Sequence, residues 1–233
     1  MTLPDYLTTT DFGLSGFSDR GFDAAFDSLT SPDLGVRLSE LLCWVNSDAP
    51  QRTTFTQEAS ILDIRGVLQF DVGAMTRFGA LLHPTLDGVQ SNVRVTVSRF
   101  GDGVQLDGQL YLGHLLAHAT SASGGLQALA EMLRGLAAGL DATYLGVCDE
   151  DDPNAFLPNG LWLPGPMMVM ADRVLPVVRA ELERAGATII ANGEAGLRVV
   201  WLRSIPDLLG GVSPSPTAIE SLRSYLEAQP QPV

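Results

Sequence analysis

Lysine is absent from this chain of 233 residues, whose 14 positively charged side chains are all arginines, set against 27 carboxylates. The absence excludes chemistry that depends on lysine, such as Schiff-base catalysis, the phosphate lysine of a P-loop and the ATP-binding lysine of a protein kinase. The net charge of −13 argues against direct nucleic-acid binding, because surfaces that hold phosphates are built from lysine and arginine. A basic protein, such as one that itself binds DNA, is instead an expected partner.

Long apolar segments and paired cysteines are also missing. No run approaches the roughly 20 apolar residues that span a bilayer, and the first residues lack the basic and apolar regions of a secretory signal, so we expect no membrane association. Cys43 and Cys148 lie far apart and form no C-x-x-C motif, which indicates buried free thiols in a reducing cytoplasm. Arginine codons are GC-rich and lysine codons are not, so the missing lysines favour a bacterial source with a GC-rich genome.

No arrangement of serine, cysteine, histidine and acid in the sequence matches a catalytic motif, so we expect a protein that is not an enzyme and has no cofactor. His114 and His118 would share one face of a helix, as metal-binding pairs do. A zincin would need glutamate at position 115, which is leucine, and a third ligand would have to be His83 or a distant acid. Structural histidines are favoured, and the alternative is a small metal-dependent hydrolase that uses the histidines and an acidic loop.

The N-terminal part of the chain predicts an irregular arm and then helices and strands. Residues 1–17 are rich in threonine, aspartate and glycine and predict the arm, which a short helix follows within residues 1–31. Leucines at helical spacing predict an amphipathic helix from Asp33 to Val45. A β-rich stretch covers residues 61–70, and residues 74–82 predict one or two helical turns.

The middle of the chain carries its clearest pattern. Val93, Val95 and Val97 alternate with polar residues, and after a Gly-Asp-Gly turn a second alternating run ends at Leu112. Two such runs around a tight turn predict an antiparallel hairpin with one face in water. Leucines and alanines at positions i, i+3, i+4 and i+7 then predict a strong helix over residues 126–140.

The last third repeats the order of helix, hairpin and helix. It predicts a helix over residues 166–185 that Pro176 kinks or breaks, strands at residues 188–191 and 197–202, and a helix over residues 216–228. The acidic, proline-bearing segment 149–165 marks the best internal boundary. We therefore expect an α+β module at residues 32–148 and a smaller helix–hairpin–helix unit at residues 166–233 packed on it, as two units or as one continuous domain.

Two neighbouring segments are candidates for contact with a partner. The run Asp149, Glu150, Asp151 and Asp152 does not have the spacing of an EF-hand and predicts either a solvated loop or a surface for a cationic partner. Trp162 lies beside a methionine-rich stretch that predicts either helix core or an adaptable docking surface. The methionines of this stretch are Met167, Met168 and Met170.

The stretch VRVTVSRFGDGVQLDGQLYLGHLL, followed by GGLQALAEMLRGLAAGLDATY, resembles the YbjN-like proteins and, more distantly, type III secretion chaperones. In that family a valine-rich strand, a turn and a second strand precede a leucine-bearing helix that ends near an aromatic residue. The likeness covers roughly residues 32–145. It implies an antiparallel sheet flanked by helices, a tendency to form homodimers, and protein binding without ATP. It carries over no catalytic residue.

These observations predict a cytoplasmic, non-catalytic protein-binding module with a chaperone-like or regulatory role toward a basic partner. An immunity protein that neutralises a basic toxin has the same acidic character and is a further alternative.

Overall fold

The computed structural model describes residues 3–4, 7, 10–31, 37–45, 49–54, 68, 71–86, 89–190, 196–212 and 216–229. The β-rich stretch expected over residues 61–70 lies outside these residues, apart from Leu68, as does most of the turn expected between the last two strands. Within the described residues, no helix is long and apolar enough to cross a membrane.

Ten strands form one sheet in which every pair of neighbours is antiparallel, and a separate pair of short strands lies beside it. The strands of the sheet are β1 Phe12–Ser18, β2 Arg37–Val45, β3 Gln51–Thr54, β4 Met75–His83, β7 Val93–Phe100, β8 Gly103–Leu110, β9 Ala142–Asp149, β10 Pro164–Ala171, β11 Thr188–Ile190 and β12 Leu197–Trp201; the short pair is β5 Thr85–Leu86 and β6 Val89–Gln90. The order across the sheet is β11-β12-β10-β9-β1-β8-β7-β4-β2-β3. The chain is therefore an α+β protein with a large antiparallel sheet.

Six α-helices and one 3-10 turn are described. They are α1 Phe22–Thr30, α2 Leu112–His118, α3 Ala122–Gly139, α4 Leu175–Arg184, α5 Ile205–Leu209 and α6 Pro216–Glu227, with the 3-10 turn at Val72–Ala74. Helix α3 confirms the strongest helical prediction. The side chain of Ser121 caps it by accepting a hydrogen bond from the N–H of Gly124, 3.0 Å away, and its leucines are buried against the sheet.

The predicted hairpin is confirmed as β7 and β8. Gly101 in its turn has φ of 58°, a left-handed conformation that favours glycine. Val93, Val95 and Val97 are buried, whereas Arg94 between them is exposed. The hairpin of β11 and β12 and the last helix are confirmed as well, and Trp201 is buried.

The two faces of the sheet are covered differently. On one face, α1 and α3 pack on a core that runs from β2 to β12. On the opposite face, residues 150–163, α4 and α6 form a layer over β1, β9, β10 and β12, with Tyr144, Met168 and Leu222 among its buried side chains. Beyond that layer, the same face of β7, β4, β2 and β3 carries exposed arginines. Among the described residues, the second face is thus covered over one half, and no described layer covers the other half.

The helix expected from Asp33 to Val45 is wrong where the structure describes it, because residues 37–45 form β2. A bulge between Leu38 and Glu40 inserts one residue, so that Leu38 and Leu41 both face the core although they are three apart. The helical turns expected over residues 74–82 are also wrong, because most of these residues belong to strand β4, which contains a similar irregularity. The register shift opposite Trp44 and Val45 puts Met75 and Phe78 on one face.

Two further elements differ from the sequence-based expectation. The described part of the N-terminal arm contains β1, a central strand buried on both sides and rich in small residues. An added Cβ at Gly16 would lie 2.4 Å from the carbonyl oxygen of Tyr144, so only glycine fits there. The helix expected from residue 166 is strand β10 up to Ala171, and Pro176 lies in the first turn of α4 rather than at a kink.

The acidic segment 149–165 connects two strands that pair with each other, β9 and β10. Strands on both sides of the expected boundary therefore belong to one sheet. Residues 166–228 keep the order helix, hairpin, helix after the end of β10. The same order of helix, hairpin and helix was expected earlier in the chain, starting with a helix from Asp33 to Val45. That expectation is wrong, because residues 37–45 form strand β2.

Candidate functional site: an acidic and aromatic patch

The acidic run follows β9 and forms a turn that its own carboxylates stabilise. The N–H of Asp151 donates to Oδ1 of Asp149 at 3.0 Å, and the N–H of Asn154 donates to Oδ1 of Asp152 at 2.9 Å. Asp151 in turn accepts, through Oδ2, a 3.0 Å hydrogen bond from the N–H of Asp11 just before β1. The turn is therefore tied to the start of the central strand β1 with its carboxylates outward, since Asp151 and Asp152 are exposed.

The methionine-rich stretch does not form an exposed docking surface. Met167, Met168 and Met170 have no accessible area, because β10 is covered on both faces of the sheet. A run that is apolar on both sides has no alternation, so sequence periodicity cannot separate a buried strand from a buried helix. These residues belong to the core, and the prediction that they form a docking surface is wrong.

Trp162 lies at the surface of the covering layer and pairs with a second ring. The ring centroids of Trp162 and Phe156 are 5.0 Å apart, the two residues form an isolated β-bridge, and Phe156 is 52% exposed. The backbone of Trp162 is held on both sides. Its N–H donates to Oγ of Ser15 at 3.0 Å, and its carbonyl accepts from the hydroxyl of Tyr144 at 3.3 Å. An aromatic pair, with Phe156 exposed and Trp162 half-buried, thus has a fixed position a few residues after the acidic turn.

Asp107 on β8 is a carboxylate that the sequence pattern did not single out. It lies opposite Ser15 of β1, and Nε2 of Gln105 donates to its Oδ1 at 3.2 Å and to the carbonyl of Gly160 at 2.6 Å. Burial raises the pKa of Asp107 to about 6; the Gln105 hydrogen bond lowers the pKa and the charge of Glu150 raises it further. The register of β1 against β8 was the missing signal, because residues 1–17 were not expected to form a strand.

Asp107 and the carboxylates of the acidic run lie close to one another. Burial is the main cause that raises the pKa of Asp149 and of Glu150, and neighbouring carboxylates, Asp151 among them, raise both further. Among the described residues, no arginine lies within 4 Å of these carboxylates, whereas other acids have such partners, as Asp172 does in Arg198 at 2.7 Å. We call Asp107, Asp149, Glu150, Asp151, Asp152, Phe156 and Trp162 the acidic–aromatic patch.

The histidines do not join this patch in a metal site. His114 and His118 share a face of α2 as expected, with ring centroids 4.4 Å apart and both side chains exposed. His83, at the end of β4, lies 2.5 Å through Nε2 from Oγ of Ser39. Searched over the described residues only, histidine, cysteine, aspartate and glutamate form no group of three that could hold a metal ion.

The cysteines are buried as expected and are free thiols. Burial raises the pKa of Cys43 to about 11 and that of Cys148 to about 12; for Cys148, Glu150 also contributes. At neutral pH both remain protonated, which makes them poor nucleophiles.

A second concave surface lies on the other face of the sheet, between α3, α5 and the edge strand β11. Two adjoining cavities of about 530 and 460 Å³ share Gln127, Ile190, Trp201 and Ile205 in their walls. Apolar side chains form most of the lining, and Glu131 is the one charged residue among the described residues that line it. This groove lies on the opposite face of the sheet from the acidic–aromatic patch.

Comparison with models of known protein families and with curated protein sequences finds no match.

Proposed function

We propose that the protein is a non-catalytic binding module that holds a cationic segment of a partner protein at the acidic–aromatic patch. The role is chaperone-like or regulatory, as the sequence resemblance to YbjN-like proteins implies, and basic nucleic-acid-binding proteins are the partner class. The observation that carries the proposal is an aromatic pair, with Phe156 exposed and Trp162 half-buried, beside carboxylates that have no arginine within 4 Å among the described residues.

The patch offers two kinds of contact that suit arginine or lysine. The carboxylates of Asp151 and Asp152 each accept backbone hydrogen bonds through one oxygen and leave the other for a charge-assisted bond. The rings of Phe156 and Trp162 offer faces for a guanidinium or ammonium group, a contact worth about 0.5–2 kcal/mol. Because hydrogen bonds to Ser15 and Tyr144 fix the backbone of Trp162, little ordering is needed when a partner binds.

Electrostatics point the same way. Burial raises the pKa of Asp107, Asp149 and Glu150, and the charges of neighbouring carboxylates raise it further, so negative charges lie close together in the patch. A cation that arrives there relieves this repulsion. Binding should therefore release protons near pH 6 and become tighter as the pH rises from 5 to 7.5.

The test is calorimetric titration with a nine-residue arginine-rich peptide, compared with the same peptide in which citrulline replaces each arginine. Citrulline keeps the shape of the side chain and removes its charge. We expect binding of the arginine peptide at 0.15 M salt and a loss of at least about tenfold in affinity for the citrulline peptide. Equal affinity for the two peptides would contradict the proposal.

Matched variants locate the effect. Asp151→Asn with Asp152→Asn keeps the oxygens that accept the turn hydrogen bonds and removes two charges, so we expect weaker binding in an intact fold. The control is Asp102→Asn in the hairpin turn, an exposed carboxylate at the opposite end of β8 from Asp11 and Asp151. A control variant that weakens binding as much as the patch variant would show that total charge, and not this patch, attracts the peptide.

A further inference from the structure

Helix α2 presents two histidines to solvent, and the acidic–aromatic patch uses neither of them. The helix buries Leu112, Leu115 and Leu116 in the core. Because these three leucines form one stripe along the helix, His114 and His118 share the opposite side, and both are exposed. The pair therefore contributes nothing to the packing of α2.

The backbone of α2 holds the two histidines at a fixed spacing. The N–H of Leu115 donates to the carbonyl of Tyr111 at 3.0 Å, and the N–H of Ala119 donates to the carbonyl of Leu115 at 3.0 Å. Both hydrogen bonds join residues four apart, as in a regular α-helix. In such a helix the Cβ atoms of His114 and His118 lie about 5–6 Å apart.

The ring nitrogens of this pair are available for a ligand. The two ring centroids are 4.4 Å apart, and the ring planes are tilted by 56°. His83 is engaged with Oγ of Ser39, whereas neither His114 nor His118 forms a hydrogen bond or an ion pair with a described residue. Each neutral imidazole has one nitrogen with a lone pair that can bind a metal ion, so the pair offers two such ligands.

The distance between the rings suits two ligands of one metal ion. A metal–nitrogen bond of about 2.1 Å places the ion about 3.2 Å from the centroid of an imidazole ring. Two rings bound at 90° around the ion then have centroids about 4.5 Å apart, and two rings at the tetrahedral angle have centroids about 5.2 Å apart. The observed 4.4 Å is closer to the 90° arrangement, which square-planar and tetragonal copper(II) and nickel(II) sites adopt.

We propose that His114 and His118 form a surface chelate for a divalent transition-metal ion, with copper(II) bound most tightly. Imidazole suits copper, nickel and zinc, and copper(II) has the highest affinity among these ions for a given set of nitrogen ligands. Over the described residues, no third histidine, cysteine or carboxylate joins the pair, so water molecules complete the coordination of the ion. The ion is therefore exchangeable, unlike the zinc of a closed structural site with four protein ligands.

Charge favours a cation at this position. The net charge of −13 raises the local concentration of divalent cations around the protein. His118 lies in the last turn of α2, where the backbone carbonyls give the helix end a partial negative charge. The chelate does not rest on the proposed function, because it involves no residue of the acidic–aromatic patch.

The test is calorimetric titration of the full chain with copper(II) at pH 7.4, in a buffer that does not bind metals, with electron paramagnetic resonance of the copper-loaded protein. We expect one tight site whose spectrum shows two nitrogen ligands. His114→Ala and His118→Ala should each weaken copper binding at least about tenfold, because each removes the high effective concentration of the second ligand. Nickel(II) and zinc(II) should bind the same site more weakly than copper(II).

Two controls separate the chelate from copper binding by any exposed histidine. His114→Ala with Ala117→His keeps the number of exposed histidines, but it places them on adjacent residues that project about 100° apart around the helix, so it should bind copper no better than His114→Ala. His83→Gln should keep the wild-type affinity, since His83 is engaged with Ser39.

Three results would each overturn the proposal. The first is copper affinity that either alanine substitution leaves unchanged in a variant whose circular dichroism is that of wild type. The second is a variant with adjacent histidines that binds copper as tightly as wild type. The third is a spectrum with only oxygen ligands, which would assign the ion to carboxylates instead of the histidine pair.

Discussion

Replacing Asp107 by asparagine should stabilise the protein at neutral pH. Burial raises the pKa of this carboxyl from 3.8 to about 6, so the folded protein disfavours its ionised form. At pH above 6, a shift of this size lowers the free energy of unfolding by about 3 kcal/mol. Water reaches part of the side chain, so we expect the measured gain to be about 1–3 kcal/mol.

The sign of the pH dependence follows from the direction of the shift. Because the pKa is higher in the folded state, Asp107 makes no unfavourable contribution below pH 3.8, and its cost grows as the pH rises toward 6. Asparagine resembles the protonated acid and does not titrate. The stability difference between Asp107→Asn and wild type should therefore be close to zero at pH 4 and reach its full value by pH 7.

The assay is urea unfolding of both proteins at pH 4, 5, 6 and 7, with Asp102→Asn as the control for removal of an exposed carboxylate. Other titrating groups affect both proteins alike and cancel in the difference. A difference that is independent of pH, or a variant that is less stable than wild type at pH 7, would refute the burial of Asp107 beside Gln105 and Glu150.

Two other predictions test the core and the thiols. Gly16→Ala would force the centre of β1 away from β9, because the added methyl group would lie 2.4 Å from the carbonyl oxygen of Tyr144. We expect the free energy of unfolding, measured in urea, to fall by at least about 3 kcal/mol. A fall of less than about 1 kcal/mol would contradict the described register. Burial raises the pKa of Cys43 and Cys148 to about 11 and 12, so neither should react with a water-soluble disulfide reagent at pH 8 within minutes, whereas both should react in 6 M guanidinium chloride. Rapid labelling of the native protein at either position would show that the thiol is accessible.

The fold was predictable where one face of an element is in water. The β7–β8 hairpin and helix α3 each have a clear period in sequence. In β7, exposed Arg94 lies between buried valines. In α3, Glu131 lies on the polar face, and the buried residues recur at helical spacing. Strands β2 and β4 contain register shifts that place residues three apart on one face, which imitates the helical period. Strand β10 is buried on both sides and has no period. Sequence alone therefore gave the wrong secondary structure for elements whose pattern depends on bulges or on double burial.

The candidate site was predictable in part. Asp149–Asp152 and Trp162 could be singled out by charge and aromatic character, and the structure places them on one covering layer with Phe156. Asp107 could not be linked to them, because its position depends on pairing between β1 and β8, more than 80 residues apart in the chain. Met167 and its neighbours were candidates only because a buried strand has the same composition as an exposed adaptable surface.

The most direct test of the central claim is to locate a bound cationic segment on the protein by nuclear magnetic resonance. The nine-residue arginine-rich peptide would be titrated into nitrogen-15-labelled protein at 0.15 M salt, with the citrulline peptide as control. We expect the largest shift changes at the backbone amides of Asp151, Asn154 and Phe156 and at the indole N–H of Trp162, and none of comparable size with citrulline. Shift changes concentrated at the groove around Trp201, or spread evenly over the acidic surface, would contradict binding at the patch.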